Sequence, residues 1–133
     1  MSIEMLELVS AIVYVSLSVI VILFQGGLAA GLPWGKASMG GKFPGKYPPK
    51  MRVVAIVNIF VLAFLALIVL AEVQLFLPEL RSISGFGIWV VVGFSLLATI
   101  LNTITPSKIE RIWAPVGLIQ LITSLIIALS SSS

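Results

Sequence analysis

Four long apolar runs alternate with three polar connectors along this chain, and the runs cover residues 8–30, 53–77, 86–104 and 112–129. A helix of such a length rises by roughly 27–38 Å, and the hydrocarbon core of a bilayer is about 30 Å thick. Each run is therefore long enough to cross a membrane. The pattern predicts an all-α polytopic membrane protein, a four-transmembrane-helix bundle that forms a single membrane domain over residues 1–133.

Composition supports lipid as the surroundings of this bundle. The chain has 133 residues, of which 59% are hydrophobic and 10% are charged, whereas a soluble domain carries about 25% charged residues. It contains no Cys and no His. Their absence removes thiol chemistry and the usual His or Cys metal sites, and we expect no metal and no cofactor.

The N-terminus is unlike a cleaved signal peptide. A signal peptide has a positively charged region before a short apolar core, whereas Glu4 and Glu7 precede the first run here. We therefore expect the first run to remain as a membrane helix.

Basic residues are unevenly distributed between the connectors. The polar stretch 31–52 holds five of the eight Lys and Arg residues. Seven lie in the first and third connectors, and only Arg81 lies in the second; the seven are Lys36, Lys42, Lys46, Lys50, Arg52, Lys108 and Arg111. Loops rich in Lys and Arg stay in the cytoplasm, so the pattern predicts a cytoplasmic loop 31–52 and both termini outside.

Two helix ends carry recognisable signals. Pro78 is expected to end the second helix. Ser107 and Glu110 match a capping box, in which the serine caps the fourth helix and the glutamate reaches back to the free N–H groups. Pro115 then predicts either a kink or a junction between an interfacial turn and the span.

The loop 31–52 allows two interpretations. Its aromatic and basic residues suit the headgroup level of a membrane, and the expected headgroup contacts are Lys46, Lys50, Arg52 and Arg111. Its prolines and its Gly40-Gly41 and Pro44-Gly45 turns instead favour a loop folded back on the bundle.

One carboxamide lies in the loop-side half of each predicted span: Gln25, Asn58, Asn102 and Gln120. These amides either pair across helices, which contributes about 0.6 kcal/mol each on average, or line a polar pocket with the loop as its lid. For the second alternative the predicted ligand-binding set also contains Trp34, Arg52, Glu110 and Arg111. Arg52 is a candidate ion-pair partner of Glu110, and Arg111 is a candidate ligand of a lipid phosphate.

Catalytic chemistry has no support in the sequence. All five carboxylates lie near the ends of the predicted spans, and no nucleophile–base set or phosphate loop is present. Small multidrug transporters have a similar size, but they depend on a glutamate inside the first span, which this chain lacks. We therefore expect a protein that is not an enzyme.

Motifs in the two long connectors resemble those of a widespread family of small bacterial four-helix integral membrane proteins without an assigned function. They are P-W-G…G-G…P-G…P-P-K-x-R from Pro33 to Arg52, and P-S-x-x-E-R-x-W-A-P from Pro106 to Pro115. The resemblance implies a prokaryotic cytoplasmic membrane, and it implies that the two connectors form one site. It supplies no activity.

These observations predict a small integral membrane protein that binds a lipid, a small molecule or a partner at its cytoplasmic face. The alternative is a subunit of a homo-oligomeric small transporter or channel, because four short helices barely enclose a polar path alone. Membrane lipids and further copies of the chain are the expected partners, and nucleic acid is not.

Overall fold

The computed structural model describes residues 1–74 and 81–131, with residues 81–83 described by their backbone alone. Four α-helices form the bundle: α1 Ile3–Ala30, α2 Pro49–Glu72, α3 Arg81–Ile104 and α4 Trp113–Ser131. All four are long and apolar enough to cross a membrane. The predicted all-α four-span architecture is confirmed, and it is that of a multi-pass membrane protein.

The helices pack as an up-and-down ring. Each helix packs against its neighbours along the chain, and α4 returns to α1, while α2 and α4 also touch across the diagonal. One end of the ring, here the loop end, carries connectors 31–48 and 105–112. The other, here the termini end, carries both chain termini and the start of α3.

Helix α1 is delimited by local capping. The Ser2 hydroxyl accepts a hydrogen bond from the backbone N–H of Met5 at 3.1 Å, which extends the helix to before the predicted residue 8. Gly31 ends it with a φ of 92°, and the Leu32 N–H donates to the Gly27 carbonyl at 2.9 Å. This is a Schellman motif, which glycine favours because it lacks a Cβ.

Two predicted boundaries at the termini end are wrong. Helix α2 ends at Glu72, not at residue 77, and Gln74 already has a φ of 65°. Helix α3 begins at Arg81, although residues 81–85 were assigned to the connector. The Ser84 hydroxyl donates to the Glu72 carboxylate at 2.6 Å, so a contact between the two helices fixes both ends. The predicted stop at Pro78 lies outside the described residues.

The helix ring is apolar in its buried centre, and its outer face is apolar as well. Ala11, Tyr14, Val69, Val91 and Ile127 belong to one buried cluster. Large apolar side chains such as Phe60, Phe64 and Phe86 are 64–80% exposed. An outer face of this kind requires lipid around it, because burial in an apolar phase is its favourable state.

Candidate functional site

Connector 31–48 is folded back on the bundle. It contains two 3₁₀ turns, Gly35–Ala37 and Met39–Gly41. The chain crosses itself where the Gly35 N–H donates to the Gly45 carbonyl at 2.9 Å. A Cβ on Gly35 would lie 1.8 Å from the Phe43 carbonyl oxygen, so only glycine permits this crossing.

Tyr47 anchors the folded loop from inside. Its side chain is 2% exposed, and its hydroxyl is hydrogen-bonded to the Ser38 hydroxyl. Its ring meets the Phe43 ring edge to face, with 6.0 Å between the centroids. Of the two interpretations of the loop, burial of Tyr47 fits the one in which the loop is folded back on the bundle, and its bond to Ser38 joins two parts of the loop.

Trp34 holds the first part of the loop against α1. Its ring is stacked on Phe24 with centroids 6.0 Å apart, and Phe24 in turn meets Trp113 at 4.7 Å. The ring covers Gly27, where an added Cβ would lie 2.1 Å from the indole. Trp34 does not line the cavity described below, so its role is to position the loop.

Three long-range hydrogen bonds join this loop to connector 105–112 and to Trp113, the first residue of α4. The Gly40 N–H donates to the Glu110 carboxylate at 3.0 Å, and the Trp113 indole N–H donates to the Ala37 carbonyl at 3.1 Å. The Ser107 hydroxyl donates to the Lys36 carbonyl. The structure thus brings the two connectors together as one layer over the loop end.

The predicted capping box does not cap α4, because α4 begins only at Trp113, after a 3₁₀ turn at Glu110–Ile112. Its serine contact is present, since the Glu110 N–H donates to the Ser107 hydroxyl at 3.4 Å. The Glu110 carboxylate does not reach back to Ser107. It accepts from Gly40 and from the Thr105 hydroxyl, because the folded loop presents a free N–H to it.

Pro115 lies in the first turn of α4, directly after a 3₁₀ turn at Glu110–Ile112, which corresponds to the predicted junction.

Arg52 does not pair with Glu110, and that alternative is wrong. Its Nε donates to the Tyr47 carbonyl at 2.9 Å. Its guanidinium lies against Gly31, where an added Cβ would be 3.1 Å from Cζ. The cation is therefore held at the C-terminus of α1, where the helix dipole favours positive charge.

The other basic residues of the predicted headgroup set lie on the outside. Arg111 is exposed, and its Nε and one terminal nitrogen donate to the Thr105 carbonyl at 3.2 and 3.1 Å. Lys46 and Lys50 are also exposed, with no ion pair in the described part of the chain. None of these residues lines the cavity.

A cavity of about 250 Å³ lies beneath the loop. All four carboxamides line it, one from each helix, and we call it the amide cavity. Its polar wall is completed by Ser38, Tyr47 and Glu110, and its apolar wall consists of residues such as Val21, Phe24, Val61, Leu62, Phe94 and Trp113. Met39 and Ala37 cover it from the loop.

The carboxamides do not pair with one another. Gln120 alone has protein partners, because its Nε2 donates to the Tyr14 carbonyl at 3.2 Å and to the Ser18 hydroxyl at 2.9 Å. Gln25, Asn58 and Asn102 form no hydrogen bond within the described part of the chain, although each lines the cavity. Cross-helix pairing therefore accounts for one of the four amides, and three are left facing a space.

Among the described residues, no group of three or more His, Cys, Asp or Glu side chains is placed to hold a metal ion. Comparison with known proteins found no matching family model, no matching curated protein and no matching solved structure. The resemblance carried by the two connectors therefore stays a prediction, and the amide cavity is the basis for assigning a function.

Proposed function

We propose that this chain is a non-enzymatic membrane protein that binds a small polar ligand in the amide cavity. The observation that carries the proposal is the set of three unpaired amides at one cavity. Each of these side chains is half-buried and lines the cavity. A ligand bound there can therefore hydrogen-bond to Gln25, Asn58 and Asn102 without breaking a bond within the described part of the chain.

The folded loop acts as the lid of this site. The loop residues that cover the cavity, Ala37, Ser38 and Met39, lie between the bonds that tie the loop to Ser107, Glu110 and Trp113. Entry from the loop end requires some of these bonds to open. Few tertiary hydrogen bonds hold the lid closed, so its local opening costs much less free energy than global unfolding of the bundle.

Cations at the loop end form a second, simpler element of the proposal. The exposed Lys46, Lys50 and Arg111, together with the half-buried Arg52, attract anionic lipid headgroups, at about 1 kcal/mol for each residue near the surface. We also assign the loop end to the cytoplasmic side of a prokaryotic cytoplasmic membrane, because most of the Lys and Arg residues lie in the connectors at this end. A reactive tag at either terminus is then labelled from outside intact cells, and labelling from the cytoplasm alone overturns this orientation.

A transport function would require more than one copy of the chain. Beyond the amide cavity, the described part of the bundle contains the buried apolar cluster around Tyr14, Val69 and Ile127, and among the described residues none from the termini end lines the cavity. We therefore place the homo-oligomeric transporter or channel second.

Native mass spectrometry from mild detergent tests the proposal, because it reports subunit number and bound mass together. We expect a monomer or dimer carrying one recurring small mass, and loss of that mass in Asn102→Leu. Thr103→Leu is the matched control, since Thr103 is exposed at the same depth of α3 and bonds only to its own helix. A larger defined oligomer without bound mass favours the transporter, and a mass retained in Asn102→Leu removes the cavity as its site.

A further inference from the structure

The amide cavity and its rim carry opposite charges. Among the described residues, Glu110 is the only charged one that lines the cavity, and the basic residues at this end remain outside it. Both hydrogen bonds that reach the Glu110 carboxylate end on Oε1. No hydrogen bond within the described residues ends on Oε2, so this carboxylate retains acceptor capacity.

Aromatic rings form much of the remaining wall. Phe24, Tyr47, Phe94 and Trp113 all line the cavity. The face of an aromatic ring carries negative electrostatic potential and attracts a cation within about 6 Å. Rings and a carboxylate in one small space disfavour an anion and favour a positively charged group.

The amides complete the recognition of such a group. Gln25, Asn58 and Asn102 offer carbonyl oxygens that accept from an N–H donor, and they have no competing partner in the described part of the chain. The volume of about 250 Å³ lies below the roughly 300–1,000 Å³ that is usual for drug-sized ligands. The occupant is therefore a small molecule, or one end of a larger one.

We propose that the amide cavity takes a substituted ammonium group, supplied by a free small amine or by the headgroup of an aminophospholipid. This inference rests on the proposed function, because it names the ligand class of the same site. It also separates two recognition tasks at the loop end. The cavity recognises the ammonium, and the outer Lys and Arg residues recognise phosphate.

Matched probes test the charge requirement in delipidated detergent. Ethanolamine is compared with 1,2-ethanediol, in which a hydroxyl replaces the ammonium, and choline is compared with 3,3-dimethylbutan-1-ol, its neutral carbon isostere. Binding is measured by the shift in thermal midpoint with probe concentration. We expect at least one cation to bind about tenfold more tightly than its neutral partner.

Glu110→Gln then identifies the responsible carboxylate. The amide oxygen of Gln still accepts from Gly40, so the fold is kept while the charge is removed. We expect the cation's advantage over its neutral partner to fall to about twofold or less. Glu4→Gln removes the same charge at the termini end and is expected to leave the preference unchanged. If Glu110→Gln does not fold, the comparison of the probes on the native chain decides the matter alone.

Nanodiscs distinguish the two sources of the ammonium group. Retention of phosphatidylethanolamine over phosphatidylglycerol, with weak binding of the free amines, identifies a lipid headgroup; tight binding of a free amine identifies a soluble ligand. Equal binding of cations and neutral probes that is lost in Asn102→Leu overturns the ammonium inference and leaves the proposed function standing. No binding of any probe or lipid overturns the ammonium inference; the proposed function then depends on whether native mass spectrometry finds a mass that Asn102→Leu loses.

Discussion

The two ends of the bundle solve the placement of polar groups in different ways. At the loop end, two connectors separated by about 70 residues are joined by long-range hydrogen bonds. They cover a cavity in which three amides form no hydrogen bond within the described residues. At the termini end, Glu4, Glu7 and Glu72 line a separate cavity of about 300 Å³, and the buried Glu72 is bonded to Ser84. At the loop end, amide groups remain available to a ligand, whereas at the termini end a hydrogen bond joins α2 to α3.

The largest effect is expected where the loop crosses itself. Gly35→Val places side-chain atoms against the Phe43 carbonyl and cannot be accommodated without opening the loop. We expect a loss of about 3 kcal/mol or more in unfolding free energy, and rapid protease cleavage between residues 35 and 47. Gly26→Val is the control, because a Cβ on Gly26 meets no atom within 4 Å. Equal effects of the two variants would contradict the crossing.

Glu72→Ala is expected to weaken the termini end by about 1–3 kcal/mol, because it leaves the buried Ser84 hydroxyl without this acceptor. Glu4→Ala, at an exposed position, is expected to change stability by less than about 0.5 kcal/mol. Thermal unfolding in detergent measures both. If the two variants behave alike, the contact between α2 and α3 does not stabilise this end.

Trp113→Phe removes the indole N–H that bonds to the Ala37 carbonyl and keeps an aromatic ring in place. We expect the free energy of opening the loop to fall by about 0.5–1.5 kcal/mol. Protease cleavage of the loop then becomes faster, while the midpoint of global unfolding changes little. Trp89→Phe is the matched control, because Trp89 lies in α3 and its side chain is exposed. Faster cleavage in both variants would point to a general effect of losing tryptophan.

The smallest effect separates the two kinds of amide within the cavity. Gln120→Leu removes two hydrogen bonds to α1 and is expected to cost about 0.6 kcal/mol. Gln25→Leu breaks no hydrogen bond and is expected to leave stability unchanged or higher while it lowers ligand binding. A larger stability loss in Gln25→Leu than in Gln120→Leu would show that Gln25 is a packing residue.

Sequence alone predicted what depends on local pattern and depth. Hydrophobic runs located the four helices, and depth in the spans was enough to place Gln25, Asn58, Asn102 and Gln120 in the loop-side half of the bundle. Sequence-based prediction failed where a contact with a residue distant in the chain determines a hydrogen bond or a helix end, because local spacing carries no information about such contacts. The Glu110 carboxylate binds the N–H of a residue 70 positions away, and the apolar sequence after Glu72 concealed the end of α2.

The sequence signal for the buried loop residues was present but ambiguous. Tyr47 follows a lysine in a basic, aromatic segment, which is equally typical of a headgroup-level loop. Its burial involves Leu28 of α1 and Ala55 of α2, and a one-dimensional pattern does not encode which segments the folded loop meets. Ser38, its hydroxyl partner, had no distinguishing feature at all.

The stacking of Trp34 on Phe24, together with the bond from Trp113 to Ala37, gives the protein an intrinsic optical reporter. Trp34 lies in the loop and Trp113 is bonded to it, whereas the third tryptophan, Trp89, lies in α3. Under the proposed function, opening of the lid unstacks one indole and frees the N–H of the other, which changes their emission. The opening rate is therefore measurable by stopped-flow fluorescence on the unlabelled chain, with Trp89 as the constant background.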